Sequence, residues 1–191
     1  CKAWLKRVPA ELEPINAGLA SLQLFSIAVS PHDTGTALAG TQDNGSLNFS
    51  GKPTWLLGVT GDGGDAGFDA VSPNVSFHTY YLGWLDVNFR GDDPATWLWI
   101  GDQFFPNPPA GESIRMYPPT IADPVVGGTI FEGASHVWRT QDSGGNQAFL
   151  EANCPEFTTS ATNPACGDFV RIGDGVPSTQ LIAAAWGDRA G

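Results

Sequence analysis

One apolar pattern returns three times along this chain of 191 residues. The stretches "FSIAVSP" (25–31), "FDAVSP" (68–73) and "PPTIADP" (118–124) each read as a short strand that ends in a small or acidic residue and proline. A second strand follows each of them: "TALAGT" (36–41), "HTYYLGW" (78–84) and "GTIFEGA" (128–134). The prolines Pro31, Pro73 and Pro124 stand 42 and 51 residues apart, and the glycines Gly40, Gly83 and Gly133 stand 43 and 50 apart, so the two ladders march together. A third element comes next, "SLNF" (46–49), "VNFR" (87–90) and "HVWRT" (136–140). An aromatic-led strand closes each unit, "WLLGVTGDG" (55–63), "WLWIGDQF" (97–104) and "FVRIGDG" (169–175), with Gly-Asp at its end.

The unit is therefore four short strands in roughly 42 to 60 residues, three times over. Strands this short, with turn residues between them, point to β-propeller blades, because a repeated four-strand unit buries its faces by radial stacking. A β-sandwich is the alternative, but its neighbouring hairpins have no reason to resemble one another. Composition agrees with an all-β chain. Hydrophobic residues make up 41% and charged residues 15%, while 24 glycines and 15 prolines favour turns over long helices. The expected organisation is a preceding strand and junction over 1–24, blades over 25–64, 65–117 and 118–177, and the first strand of a further blade over 178–191. "AWLKRV" (3–8) and "LIAAAW" (181–186) are the flanking strands of this reading. Three blades do not close a ring, so the expected neighbours are the remaining blades of a larger propeller or another copy. The chain starts at Cys1 without methionine, and both ends read as cuts through something longer.

Two pentapeptides look alike: "TQDNG" (41–45) and "TQDSG" (140–144). The first directly follows Gly40, between strands two and three, where Asn44-Gly45 signals a two-residue type I′ hairpin. The second lies past strand three. They share letters but not position. Thr140-x-Asp142-x-Gly144 with Phe149 resembles the Asp box of BNR-type β-propellers, a superfamily that includes sialidases, xyloglucanase-like enzymes and sortilin-like receptors. The stretch 15–64 is similar to a blade junction in secreted bacterial members. The resemblance implies that the box joins strands three and four and that its aspartate caps amides of its own turn. This chain departs from the usual box, with Gln147-Ala148-Phe149 in place of Thr-Trp and an insertion after it. The activity implied is glycan binding or glycoside hydrolysis, with a sortilin-like protein-interaction scaffold as the alternative.

Propeller topology sorts the acidic residues. The links from strand two to three, and from strand four to the next blade, share one face. Asp43, Asn44, Asp62, Asp65, Asp102 and Asp174 fall there. Asp142 and the Cys154–Cys166 segment fall on the other face. Glycoside hydrolysis uses two carboxyl groups flanking the scissile bond, and Asp43 with Asp62 is the first candidate pair. The bland alternative is that each Gly-Asp only caps its own turn. Phe104 and Phe105, on the long insertion 101–115, are candidates to stack on sugar rings or, equally, to form a small core over the channel mouth. Asp62, Asp65 and Asp69 offer oxygen ligands for Ca²⁺, although not in EF-hand spacing.

Other chemistry is excluded. "GDGGDA" (61–66) matches a dinucleotide fingerprint, but a strand pattern follows it, not a helix, and two aspartates would repel pyrophosphate. Arg90 and Arg139 end peripheral strands, so with Arg115 they make no carboxylate-binding triad. His32, His78 and His136 lie on separate elements and are assigned structural roles. A net charge of −11 argues against nucleic acid and anionic membrane partners, and no apolar run reaches 18 residues. Cys154 and Cys166 flank eleven residues, where a disulfide would indicate an extracellular or periplasmic protein; two free thiols are the alternative. Cys1 has no assigned partner.

Overall fold

The computed structural model describes residues 21–91, 93, 96–156 and 165–173. The expected strands at 3–8 and 181–186, together with Cys1 and Asp174, lie outside the described residues. Among the described residues twelve strands form three separate four-stranded antiparallel sheets. Blade A holds β1 (Ser26–Val29), β2 (Thr36–Thr41), β3 (Gly45–Ser50) and β4 (Leu56–Val59). Blade B holds β5 (Ala66–Phe68), β6 (Ser76–Thr79), β7 (Leu85–Asn88) and β8 (Trp97–Trp99). Blade C holds β9 (Thr120–Ala122), β10 (Ile130–Gly133), β11 (Val137–Thr140) and β12 (Val170–Ile172). Strand order within each sheet follows the sequence, as in a meander built from short connections. The first strands β1, β5 and β9 pack beside one another, so the blades radiate from a common inner edge.

Paired registers show what each face buries. In blade A, Leu38 packs with Val59 against Trp97 of blade B. Between blades B and C, Phe77, Leu85, Val87, Trp99, Ile130 and Trp138 belong to one larger core. Each fully buried aliphatic side chain there stabilises the fold by roughly 1.5–3 kcal/mol relative to exposure.

The first turn of every blade is closed by a side chain at the same place. Ser30 Oγ accepts from the His32 amide, Asp69 Oδ1 from the amides of Val71 and Ser72, and Asp123 Oδ1 from Val125 and Val126. These local bonds explain one correction. Blade B's first strand lies at 66–68, not within 68–73, because Asp69 turns the chain before Pro73. The second strand of blade B is also displaced. It ends at Thr79, and "YYLGW" is a turn in which Trp84 donates to Tyr81 O and Tyr80 to Trp84 O, with Leu82 and Gly83 at positive φ. The aromatic run reads as strand by propensity, yet Tyr80, Tyr81 and Trp84 instead stack with each other and with Phe105.

The β2–β3 hairpin is not a two-residue type I′ turn. Gln42, Asp43 and Asn44 separate the strands, and positive φ falls at Asp43 and Gly45. Between β11 and β12 the chain forms a short helix, α1 (Gln147–Asn153), whose N-cap Asn146 accepts from the Phe149 amide. The Cys154–Cys166 disulfide is formed. Residues 154–156 lie along the outer strand of blade B, where Leu98 bridges to Pro155 and Trp99 donates to Cys154 O. Among the described residues no helix is long and apolar enough to cross a membrane.

Candidate functional site

The link from β4 to β5 builds one end of the site. Its glycines pass through spaces that admit no side chain. A Cβ on Gly61 would lie 2.2 Å from the Tyr80 ring, and one on Gly63 would lie 2.5 Å from Gly45 O. Gly63 donates to Thr41 O, Gly45 to Gly61 O and Gly64 to Thr79 O. The run "GDGGD" is thus shaped by close backbone packing between blades A and B. That packing presses Asp62 against the β2–β3 turn, where its Oδ1 accepts the Asp43 amide at 2.8 Å. Asp43 is exposed and Asp62 half-buried. The two residues paired from topology alone are therefore neighbours.

Tyr117, supplied by the long β8–β9 link, completes this corner. Its ring packs on Phe25 with centroids 4.6 Å apart. Its hydroxyl is shielded from solvent and lies near Asp62 without a well-formed hydrogen bond. Burial, and then the charges of Asp62 and Asp43, push the phenol above its usual range. It therefore stays a neutral donor at physiological pH. Beside it, Gln23, Phe25, Gln42, Asp43 and Asn44 line a recess of about 300 Å³. Asn44 Nδ2 donates to Gln42 O.

A second carboxyl pair lies deeper. Asp65 Oδ2 accepts the Thr120 amide at 3.0 Å, and the Thr120 hydroxyl donates to Glu132 Oε2. Glu132 is fully buried, and its other oxygen has no hydrogen-bond partner among the described residues. Burial pushes its carboxyl up to about 8, opposed by the Thr120 hydroxyl and reinforced by Asp65, so it is mostly protonated at neutral pH. Asp65 is raised as well, chiefly by burial. Glu132 escapes sequence reading because "TIFEGA" looks like an ordinary core strand, and Tyr117 because it stands among prolines in a loop.

Several expected site residues do other work. Asp102 accepts from Trp99 Nε1 and from the Cys166 amide, both at 2.7 Å. It ties the outer strand of blade B to the disulfide segment and is not part of an open acidic arc. Phe104 is buried between Trp138 and Phe169, which removes it as a stacking platform. Phe105 is half-buried on Tyr81 and Trp84, so the core alternative describes both. Asp69 lies at the opposite end of β5 from Asp62 and Asp65, and its Oδ2 takes the Gly128 amide. The three aspartates do not converge, and among the described residues no group of three or more acidic, His or Cys side chains is placed to hold a metal ion.

On the other face, the turn after β11 is capped differently from expectation. The Thr140 hydroxyl, not Asp142, accepts the Gly144 amide at 2.9 Å, and it lies 2.5 Å from Asp168 Oδ1. Asp142 stands close to Asp168, whose carboxyl is raised first by burial and then by Asp142. His78 lies between Ser46 and Asp86, at 3.3 Å and 3.5 Å. All three are buried. Burial pushes His78 down to about 4 and Asp86 well up, the latter with help from Glu156. The two groups are sealed from solvent, form a core contact and offer no nucleophile to a substrate.

No protein-family model and no curated protein matches the sequence. Among solved structures the chain is similar to an ancestral GH74 enzyme, with a TM-score of 0.50 and 15% identity over 63% of this chain. The fold is a partial β-propeller. Similarity also extends to Sqt1 of Saccharomyces cerevisiae, with a TM-score of 0.49 and 14% identity over 83% of this chain. The chain spans 17% of the first structure and 36% of the second. Identities this low speak to architecture alone.

Proposed function

We propose that this propeller segment binds glycans at the corner formed by Asp43, Asn44, Asp62, Phe25 and Tyr117, and that Asp43 and Asp62 are the carboxylates that act on a glycosidic bond there. The observation that carries this reading is the contact of Asp62 with the Asp43 amide beside an aromatic pair and an open recess. In hydrolysis one carboxyl group protonates the leaving oxygen while the other attacks the anomeric carbon or activates water. Phe25 and Tyr117 take the stacking role expected of Phe104 and Phe105. The likeness to a GH74 enzyme, a glycoside hydrolase, fits a carbohydrate-related propeller. The Thr140–Gly144 segment, between β11 and β12, fits an Asp box by its place. The disulfide fits an oxidising compartment such as the cell exterior or periplasm.

A second reading has its own support. Asp62, Asp69 and Asp102 all accept backbone amides, which is what turn caps of a non-catalytic, sortilin-like scaffold would do. A polysaccharide panel separates the two. Under the first reading the chain releases reducing ends or is retained on an insoluble glycan, and Asp43→Asn and Asp62→Asn abolish release while the fold is kept. A chain that neither hydrolyses nor binds any polysaccharide, yet captures a protein, supports the scaffold and rejects the glycan site.

A further inference from the structure

A cavity of about 220 Å³ opens between blades A and B. It lies at the Thr36 end of β2, whereas the Asp43–Asp62 corner follows the Thr41 end. Leu38, Asn48 and Leu56 wall it on one side, and Phe68, Pro73 and Ser76 on the other. The first three stand opposite one another on β2, β3 and β4. Leu38 packs on Trp97 of blade B, so this row faces the neighbouring blade. Phe68 and Ser76 are paired across β5 and β6. Much of the wall is apolar, and none of its residues is charged.

Two polar side chains in this wall have no partner. Asn48 is 8% exposed and Ser76 4%, yet neither side chain makes a hydrogen bond within the described residues. Asparagine is disfavoured in strands. A buried amide without a bond also costs free energy that an apolar residue in the same row would not. The backbone nevertheless makes room for it. Pairing of β3 with β4 slips at Gly58, the extra residue of a bulge between Leu57 and Val59. A Cβ on Gly58 would lie 2.8 Å from Asn48 Nδ2, so a side chain there would displace the amide.

We propose that this cavity binds one neutral pyranose unit of a glycan, with Asn48 and Ser76 as its hydrogen-bonding residues. A cavity of about 150 Å³ holds a benzene ring, so this one admits a six-membered ring with its substituents. The Asn48 amide presents a donor and an acceptor side by side, which matches two adjacent hydroxyls. The Ser76 hydroxyl meets a third from the facing wall. Phe68, Leu38 and Pro73 cover the C–H face of the ring. An ionised ligand would find no counter-charge here. The site holds a glycan and does not cleave it, and its observations are separate from those at the Asp43–Asp62 corner.

The probes are the methyl glycosides of glucose, galactose, mannose and xylose, titrated into the protein and followed by amide chemical shifts. At least one should give saturable shifts at the Asn48 side-chain amide and at the backbone of Leu38, Phe68 and Ser76. These shifts should persist in Asp62→Asn, which separates this cavity from the carboxylate corner. Glucuronate and glucosamine should bind about 10-fold more weakly or worse. Asn48→Leu keeps the shape of the side chain and breaks no internal bond. It should weaken binding by about 10-fold or more, with an unchanged or higher urea midpoint. Gly58→Ala, which moves the amide without removing it, should weaken binding in the same direction. No saturable shift at the cavity with any of the four glycosides overturns the proposal. So does binding that Asn48→Leu and Gly58→Ala leave unchanged, or a lower urea midpoint in Asn48→Leu, which would make Asn48 a structural residue.

Discussion

Replacing Glu132 with glutamine should change how stability depends on pH. The folded protein raises this carboxyl from 4.5 to about 8 by full burial. An acid raised in this way holds its proton in the folded state when the unfolded chain has already released it. Its stabilising contribution is complete below pH 4.5 and is lost as pH rises through 8. At 1.36 kcal/mol per pH unit the whole span is about 5 kcal/mol, of which about 2 to 3 kcal/mol falls between pH 5 and 7. Glutamine has the same shape, keeps an oxygen for the Thr120 hydroxyl and does not titrate. Urea denaturation of the wild type and Glu132→Gln at pH 5, 6, 7 and 8 isolates the group. Their stability difference should move by about 2 to 3 kcal/mol in favour of the variant from pH 5 to 7. Parallel curves across this range would show that Glu132 titrates normally, which would refute both its burial and its place beside Thr120 and Asp65.

Four further outcomes are expected of the same fold. His78, pushed down to about 4, stays neutral in the fold, so its contribution is lost as pH falls from 6.5 toward 4; His78→Asn should remove about 3 kcal/mol of acid-limb slope in the same urea series. Asp69→Ala removes the acceptor for three amides and should cost about 3 kcal/mol, with the same fall in Tm in Ca²⁺ and in chelator, because the residue caps turns and does not bind metal. Reducing the Cys154–Cys166 bridge, whose cysteines are separated by 12 positions, should lower stability by about 3 kcal/mol in urea titrations with and without dithiothreitol. Gly40→Ala would place a Cβ 1.9 Å from Gly64 O and should destabilise by about 3 kcal/mol, read as a drop in the urea midpoint.

The blade plan was legible in the sequence because its strands are punctuated by residues that act locally. "TALAGT" is β2 from end to end, and the strands of blade C fall inside their expected stretches. Blade B slipped because two signals there depend on tertiary packing. Asp69 closes its turn early, and "YYLGW" follows its ring contacts over its strand propensity. A sharper repeat was also present. Asn48-Phe49-Ser50-Gly51 and Asn88-Phe89-Arg90-Gly91 are each followed by Thr-Trp, and both glycines take positive φ at the exit from a third strand. In the site, Asp43 and Asp62 could be paired because propeller topology puts their links on one face. Asp102 defied that sorting, since the bonds that hold it come from an indole three residues back and a cysteine amide 64 residues away. Tyr117 and Glu132 gain their character only from neighbours distant in sequence.

The proposed glycan site is tested most directly by amide chemical-shift mapping during titration with oligosaccharides from the polysaccharide that scores highest on the panel. The account predicts saturable shifts at Phe25, Gln42, Asp43, Asn44, Asp62 and Tyr117, lost in Asp62→Asn, with Asp102 and Phe104 unmoved. Shifts confined to the opposite face around Asp142 and Asp168, or none with any oligosaccharide, would contradict it.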